Sequence, residues 1–286
     1  NDTAGTAAGS GFGSPYAGSA PEADICLVSN AVGGDEELIP DSLEYMFTSA
    51  TDLLGFQYIF DYADHVGKPA VISFSEGRHQ DLWGDDVLGY EVLDSLVRRG
   101  RIICAAAGNE SVYDTYMHKP VGKERAQTLC LFSSKAGYYL FRSSDRTEIG
   151  LTFFDNNARP LHSISVHTDS ILACQDSLYS DTLQVADKTY QILMTAYPSC
   201  YDSTQWATEL YLCRLTKHPS HTVGITISGK EQDVEAFSVS SYFKSDASFP
   251  DYCDAETSHN VHFPGSSPSV ICVGSTAYRT GVFNYN

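Results

Sequence analysis

The chain has 286 residues, 42% of them apolar, which is enough for a packed core and excludes global disorder. Its 36 acidic residues outnumber 18 basic ones, a net charge of −18. Such a chain repels phosphate backbones and anionic membrane surfaces, which argues against nucleic-acid binding and membrane-surface binding. The charge serves solubility; a second reading is an acidic face that concentrates cationic substrates or calcium.

Residues 1–20, NDTAGTAAGSGFGSPYAGSA, read either as a flexible linker or as a helix packed so closely that only small side chains fit. Ala23–Ser29 is a short apolar run, expected to be a buried strand. Residues 43–65 show helical spacing. Leu53, Leu54, Phe56, Ile59, Phe60 and Ala63 form an apolar stripe, with Asp61 and Asp64 outside it. Thr48, Ser49 and Thr51 are N-cap candidates, and Gly67 ends the helix. A strand over Pro69–Ser75, an amphipathic helix over Asp86–Arg98 closed by Gly100, and a buried strand over Arg101–Ala107 follow. Continuously apolar strands alternating with helices predict an α/β fold: a doubly wound parallel sheet covered on both faces.

After about residue 118 the periodicity shortens to two. Candidate strands are Thr128–Phe132, Gly137–Arg142, Ile149–Phe154, Ser163–His167, Thr189–Ala196, Glu209–Arg214, Val223–Ser228 and Val234–Ser240. Their even spacing predicts an antiparallel β-sandwich of jelly-roll type. The apolar run Ser269–Gly274 then resumes the earlier pattern. The expected division is therefore an α/β domain over 1–117, an inserted sandwich over 118–261, and a return to the first domain over 262–286. Cys26, Cys104 and Cys272 lie in apolar runs and are expected to act as small buried hydrophobes. The other five cysteines fall in the insertion, where a disulfide is open but unassigned. No apolar run is long enough to span a membrane.

The stretch with the most chemical content is Cys104–Ser111, CAAAGNES. Small side chains leave room for a ligand chain against the backbone, and Asn109 offers an amide at the carboxyl end of a strand, where α/β folds place their sites. Taken alone, Gly108-Asn109 also reads as a plain turn. Three further segments give it context: TAGTAAGSG from Thr3, APEAD from Ala20, and SFSEG over Ser73–Gly77. With PSVICVGS over Pro268–Ser275, they resemble in order and spacing the motifs of the subtilases, the subtilisin-like serine proteases.

That resemblance covers about 1–117 and 262–286. It implies a serine endopeptidase acting through an acyl-enzyme on a polypeptide substrate. Asn109 would be the oxyanion-hole donor and the only catalytic residue in the chain. Ser75, Glu76 and Gly77 would pair with the substrate backbone, and Ala106, Ala107 and Gly108 would form one wall of the S1 pocket. Glu76 departs from the apolar residue usual at its position; it favours basic substrate side chains or simply faces solvent. The family's His would fall just before Asn1, and neither its Asp-Ser/Thr-Gly strand nor its G-T-S motif is found. Catalytic Asp, His and Ser, with the remaining parts of the same protease, are thus expected outside this chain, which alone should be inactive.

The inserted region is similar in pattern and position to the jelly roll of Csp-type subtilases, and family habit implies a secreted or cell-envelope bacterial protein. No cofactor is implied; structural calcium is the one possibility raised, without assigned ligands. No metal site is assigned to the histidines: His218 and His221 are separated by Pro219, and His65, His79 and His118 are placed on loops. The competing reading is a non-enzymatic pseudo-protease scaffold whose β-sandwich binds carbohydrate or protein.

Overall fold

The computed structural model describes residues 2–13, 17–28, 49–79, 84–132, 135–216, 221–239 and 241–275. The predicted helical residues 43–48, with the cap candidate Thr48, lie outside these, as do Ser29, His218 and Ser240. The described residues divide into two compact units. One draws on Asn1–Arg78, Asp86–Gly108 and Val261–Asn286; the other draws on His79–Asp85 and Asn109–Asn260.

The first unit opens with helix α1 (Asp2–Ala8). Its last carbonyls would be orphaned, but Ser19 and Ala20 donate to Thr6 and Ala7 at 3.1 and 2.8 Å. Helix α2 (Ser49–His65) follows. It stops where Gly67 N–H bonds back to the Asp64 carbonyl and Lys68 N–H to that of Ala63, the paired closure typical of a glycine-ended helix. Strand β1 (Ala70–Phe74), helix α3 (Asp85–Leu96) and strand β2 (Arg101–Ala106) come next. At the far end of the chain β15 (Ile271–Val273) joins them, giving a parallel sheet in the order β1-β2-β15. Phe56 and Phe60 of α2 and Leu93 and Leu96 of α3 pack on Ile72, Ile103 and Ala105 of the sheet.

The second unit runs β3 (Tyr116–Lys119), β4 (Arg125–Leu131), β5 (Ala136–Ser143), β6 (Glu148–Phe154) and β7 (Pro160–His167). After a short helix α4 (Thr168–Leu172) come β8 (Leu178–Val185), β9 (Lys188–Pro198), β10 (Trp206–Arg214), β11 (Thr222–Ser228), β12 (Val234–Ser238), β13 (Tyr242–Lys244) and β14 (Ala255–Glu256). They make a seven-stranded sheet, β14-β3-β12-β5-β10-β9-β8, and a five-stranded sheet, β13-β4-β11-β6-β7. All their pairings are antiparallel. The two sheets share one core, with Tyr139, Tyr190 and Leu210 from the larger meeting Leu151, Phe153 and Ile225 from the smaller.

Lys119 is wholly buried in this unit. Its ammonium donates to the carbonyls of Lys123, Gly229 and Gln232, so one charge ties the 120–124 turn to the 229–232 turn. Burial lowers its pKa, and three carbonyl dipoles stand in for the water it gave up.

Several expectations are corrected. The chain is mostly β, and among the described residues there is no doubly wound α/β sheet. Of the fifteen strands among the described residues, twelve belong to the two antiparallel sheets and three run parallel. The parallel strands are not buried on both faces either. Ile72, Ile103 and Ala105 point to the helices, while Val71, Ile102, Ile271 and Val273 stay 64, 40, 53 and 51% exposed. Because alternate residues of a strand face opposite sides, half of the β1 and β2 runs lies on the bare side, and all three residues of β15 are exposed. The expected strand over Ala23–Ser29 does not form in the described part; Ile25, Leu27 and Val28 are exposed non-strand chain. Cys272 is exposed and Cys26 and Cys104 are only half-buried, whereas Cys130 is the cysteine inside a core, where burial pushes its thiol up to about 12. None of the eight cysteines is joined in a disulfide. His65 ends α2 and His118 sits within β3 rather than on loops.

Two outcomes follow. The bare face of the parallel sheet should bind an environment-sensitive dye such as ANS and promote self-association. The double change Val71→Thr, Val273→Thr should reduce both signals; unaltered dye fluorescence and light scattering would show that the face is covered. Phe153→Ala, at a fully buried position, should lower the unfolding free energy by about 3–5 kcal/mol in denaturant titrations. Leu161→Ala, 42% exposed, should change it by only about 0.5 kcal/mol.

Candidate functional site

Because β1 and β2 are parallel and Phe74 is opposite Ala105, the chain leaves both strands on the same edge of the sheet. Ser75–Gly77 and Ala106–Gly108 are therefore side by side at the carboxyl ends of neighbouring strands. Ser75, Glu76 and Gly77 are exposed, as is Gly108, while Ala106 and Ala107 are half-buried. Within its unit the fold thus gathers six of the seven site residues expected from the sequence.

These segments are fixed by backbone bonds. Ala107 donates its N–H to the Val273 carbonyl at 3.0 Å and accepts from His262 N–H at 2.9 Å. Arg78 and Phe263 exchange N–H···O bonds of 3.1 and 3.0 Å. Ser75–Gly77 is consequently held between β1 on one side and the Arg78–Phe263 bridge on the other. The bridge comes so close to Gly77 that a Cβ there would meet the Cβ of His262 at 2.9 Å and the Phe263 carbonyl oxygen at 3.0 Å. Glycine is what this close approach admits. Gly108 has φ of +114°, a conformation side chains rarely adopt, and with it the chain turns off the end of the sheet.

Arg78 was not among the residues singled out from the sequence. Its guanidinium pairs with the buried carboxylate of Asp86, at the start of α3, and lies over the Phe263 ring at 4.8 Å. The partly exposed guanidinium compensates the buried Asp86 carboxylate, and the ring face adds a cation–π contact. An arginine directly after S-E-G is a visible signal, but the sequence does not show that its partner sits eight residues on.

Asn109 belongs to the second unit and is exposed. Its backbone N–H is taken by the Glu110 carboxylate at 2.9 Å, so the side-chain amide is the group left to donate to a ligand. In the same unit His221 is absorbed by structure. Its N–H donates to the Tyr190 hydroxyl at 2.9 Å, Nδ1 lies 3.3 Å from that oxygen, and burial lowers its pKa.

The outer face of the seven-stranded sheet carries a polar arrangement that periodicity alone did not reveal. Glu235 on β12 is opposite Arg142 on β5 and takes bonds from both Nε, at 2.9 Å, and a terminal guanidinium nitrogen. Tyr116, on β3, donates its hydroxyl to the other carboxylate oxygen at 2.7 Å. Burial works to raise the pKa of Glu235, but Arg142 and Tyr116 outweigh it and hold the carboxyl below its ordinary value.

No protein-family model and no curated protein matches this sequence. Among solved structures, that of the Clostridium perfringens CspB protease is similar in fold, with a TM-score of 0.65 at 15% identity. The likeness takes in 96% of this chain and 55% of that one, so the chain spans about half the length of the protease it matches.

Proposed function

We propose that this chain is the oxyanion-stabilising and substrate-gripping part of a subtilisin-like serine endopeptidase that works outside the cytoplasm of a bacterium. The observation that carries the reading is the pair of parallel strands releasing Ser75–Gly77 and Ala106–Gly108 side by side at their carboxyl ends, in a fold similar to that of a protease. The four motifs that resemble the subtilase pattern support it. An extended peptide is gripped by adding itself as a strand along Ser75 and Glu76. The small residues Ala106–Gly108 form one wall of the S1 pocket. The Asn109 amide meets the oxyanion of the tetrahedral intermediate, the point at which negative charge is greatest and a fixed donor counts most. The nucleophile, its base and the orienting carboxylate come from the remaining parts of the same protease.

The test is peptide hydrolysis by the natural open reading frame expressed in full. Asn109→Ala should lower kcat on the order of 10²–10³-fold with little change in KM, because the lost bond belongs to the transition state. An undiminished Asn109→Ala enzyme would overturn the assignment. A full-length protein without any cleavage activity would favour the non-catalytic scaffold.

A further inference from the structure

A second carboxylate on the outer face of the seven-stranded sheet differs from Glu235 in one respect. Glu209 of β10 lies between β5 and β9, and a tyrosine reaches it from each side: Tyr138 donates its hydroxyl at 2.7 Å to one oxygen, and Tyr197 donates to the other. The register makes the arrangement symmetrical, since Tyr138 is opposite Tyr211, two residues beyond Glu209, and Tyr197 is opposite Ala207, two residues before it. Burial, reinforced by the carboxylate itself, raises the pKa of both phenols, so they remain donors throughout the physiological range. Glu235 has a tyrosine and a guanidinium; Glu209 has two tyrosines and, among the described residues, no cation.

We propose that Glu209, with Tyr138, Tyr197 and Tyr211, receives an arginine side chain of a basic polypeptide partner. The fold itself supplies the precedent, since Glu235 and Tyr116 hold the chain's own Arg142 on the same face. Two neutral hydroxyls orient the Glu209 carboxylate and bring no positive charge to it, so the site has room for an incoming cation. Tyr211, directly opposite Tyr138 and 37% exposed, offers a ring against which a planar guanidinium stacks. The net charge of −18 draws a basic partner in from a distance. Arginine is favoured over lysine because its fork matches a carboxylate and its plane matches a ring, while an ammonium offers a point charge alone. The site lies wholly within the second unit, so it stands whether or not the protease reading does.

The experiment is a fluorescence-anisotropy titration of the whole chain with labelled hexa-arginine, hexa-lysine and hexa-citrulline amides at physiological salt. Hexa-arginine should bind more tightly than hexa-lysine, and the neutral isostere citrulline should not bind. Glu209→Gln, which keeps both oxygen- and nitrogen-sized ends of the side chain, should weaken hexa-arginine binding at least tenfold, while Glu231→Gln, an equal change of charge at an exposed position, should leave it within twofold. Tyr211→Ala should erase the preference for arginine over lysine without altering the thermal midpoint. Equal losses in Glu209→Gln and Glu231→Gln would show general attraction to an acidic surface and overturn the proposal. So would comparable binding of hexa-citrulline, or an arginine preference that survives Tyr211→Ala.

Discussion

A strand can hide only as many faces as there are elements to cover it, and in the first unit this constraint shapes everything near the candidate site. Helices α2 and α3 bury Ile72, Ile103 and Ala105 and leave Val71, Ile102, Ile271 and Val273 in the open. The covered side fixes the positions of β1 and β2, and their parallel course then delivers Ser75–Gly77 and Ala106–Gly108 to one edge. The loops need no rigidity of their own; they inherit it from Phe56, Phe60 and Leu93, and from the Arg78–Phe263 bridge that closes the far side. The second unit meets the same constraint differently, with two sheets each covering the inner face of the other.

Much of this was legible in the sequence, for reasons that differ by element. The stripe from Leu53 to Ala63 and the stop at Gly67 depend on local spacing and local hydrogen bonds, so α2 ends where its residues say it should. Eight strands of the second unit were marked by alternation. Four escaped: Tyr116–Lys119, Tyr242–Lys244 and Ala255–Glu256 because each has four residues or fewer, and Leu178–Val185 because the polar run Ser180-Asp181-Thr182 breaks its alternation. What misled was the apolar density of PAVISFS and RIICAAA. Local sequence records that a strand is apolar on both sides; it does not record whether a second layer exists. The error over Ala23–Ser29 has the same origin, since an apolar run needs a pairing partner before it becomes a strand. At the candidate site, the small residues and Gly108 were readable because steric demands are local. The roles of Arg78 and Asp86 were not, because nothing in the residues between them shows that the two side chains are brought together.

The acidic composition takes on a sharper meaning when sorted by position. Glu235 is matched by Arg142, Asp86 by Arg78, and Asp254 by Lys123, whose ammonium lies 2.6 Å away. Charges so matched are internal fastenings. Glu209 is of another kind, half-buried and oriented by hydroxyls alone. In a chain with twice as many acids as bases, most carboxylates must go without a cation, but solvent normally takes care of them. One held on a sheet face between two phenols has exchanged part of that solvation for two fixed donors.

Lys119 illustrates how a fold can dispense with a bound ion. Three carbonyl oxygens from two turns converge on a positive charge, which is how proteins commonly lodge a monovalent metal. Here the cation is covalently part of the chain. The fastening cannot be extracted by a chelator, diluted away, or exchanged when potassium gives way to sodium in the medium, and it forms in the same event that folds the strand carrying it.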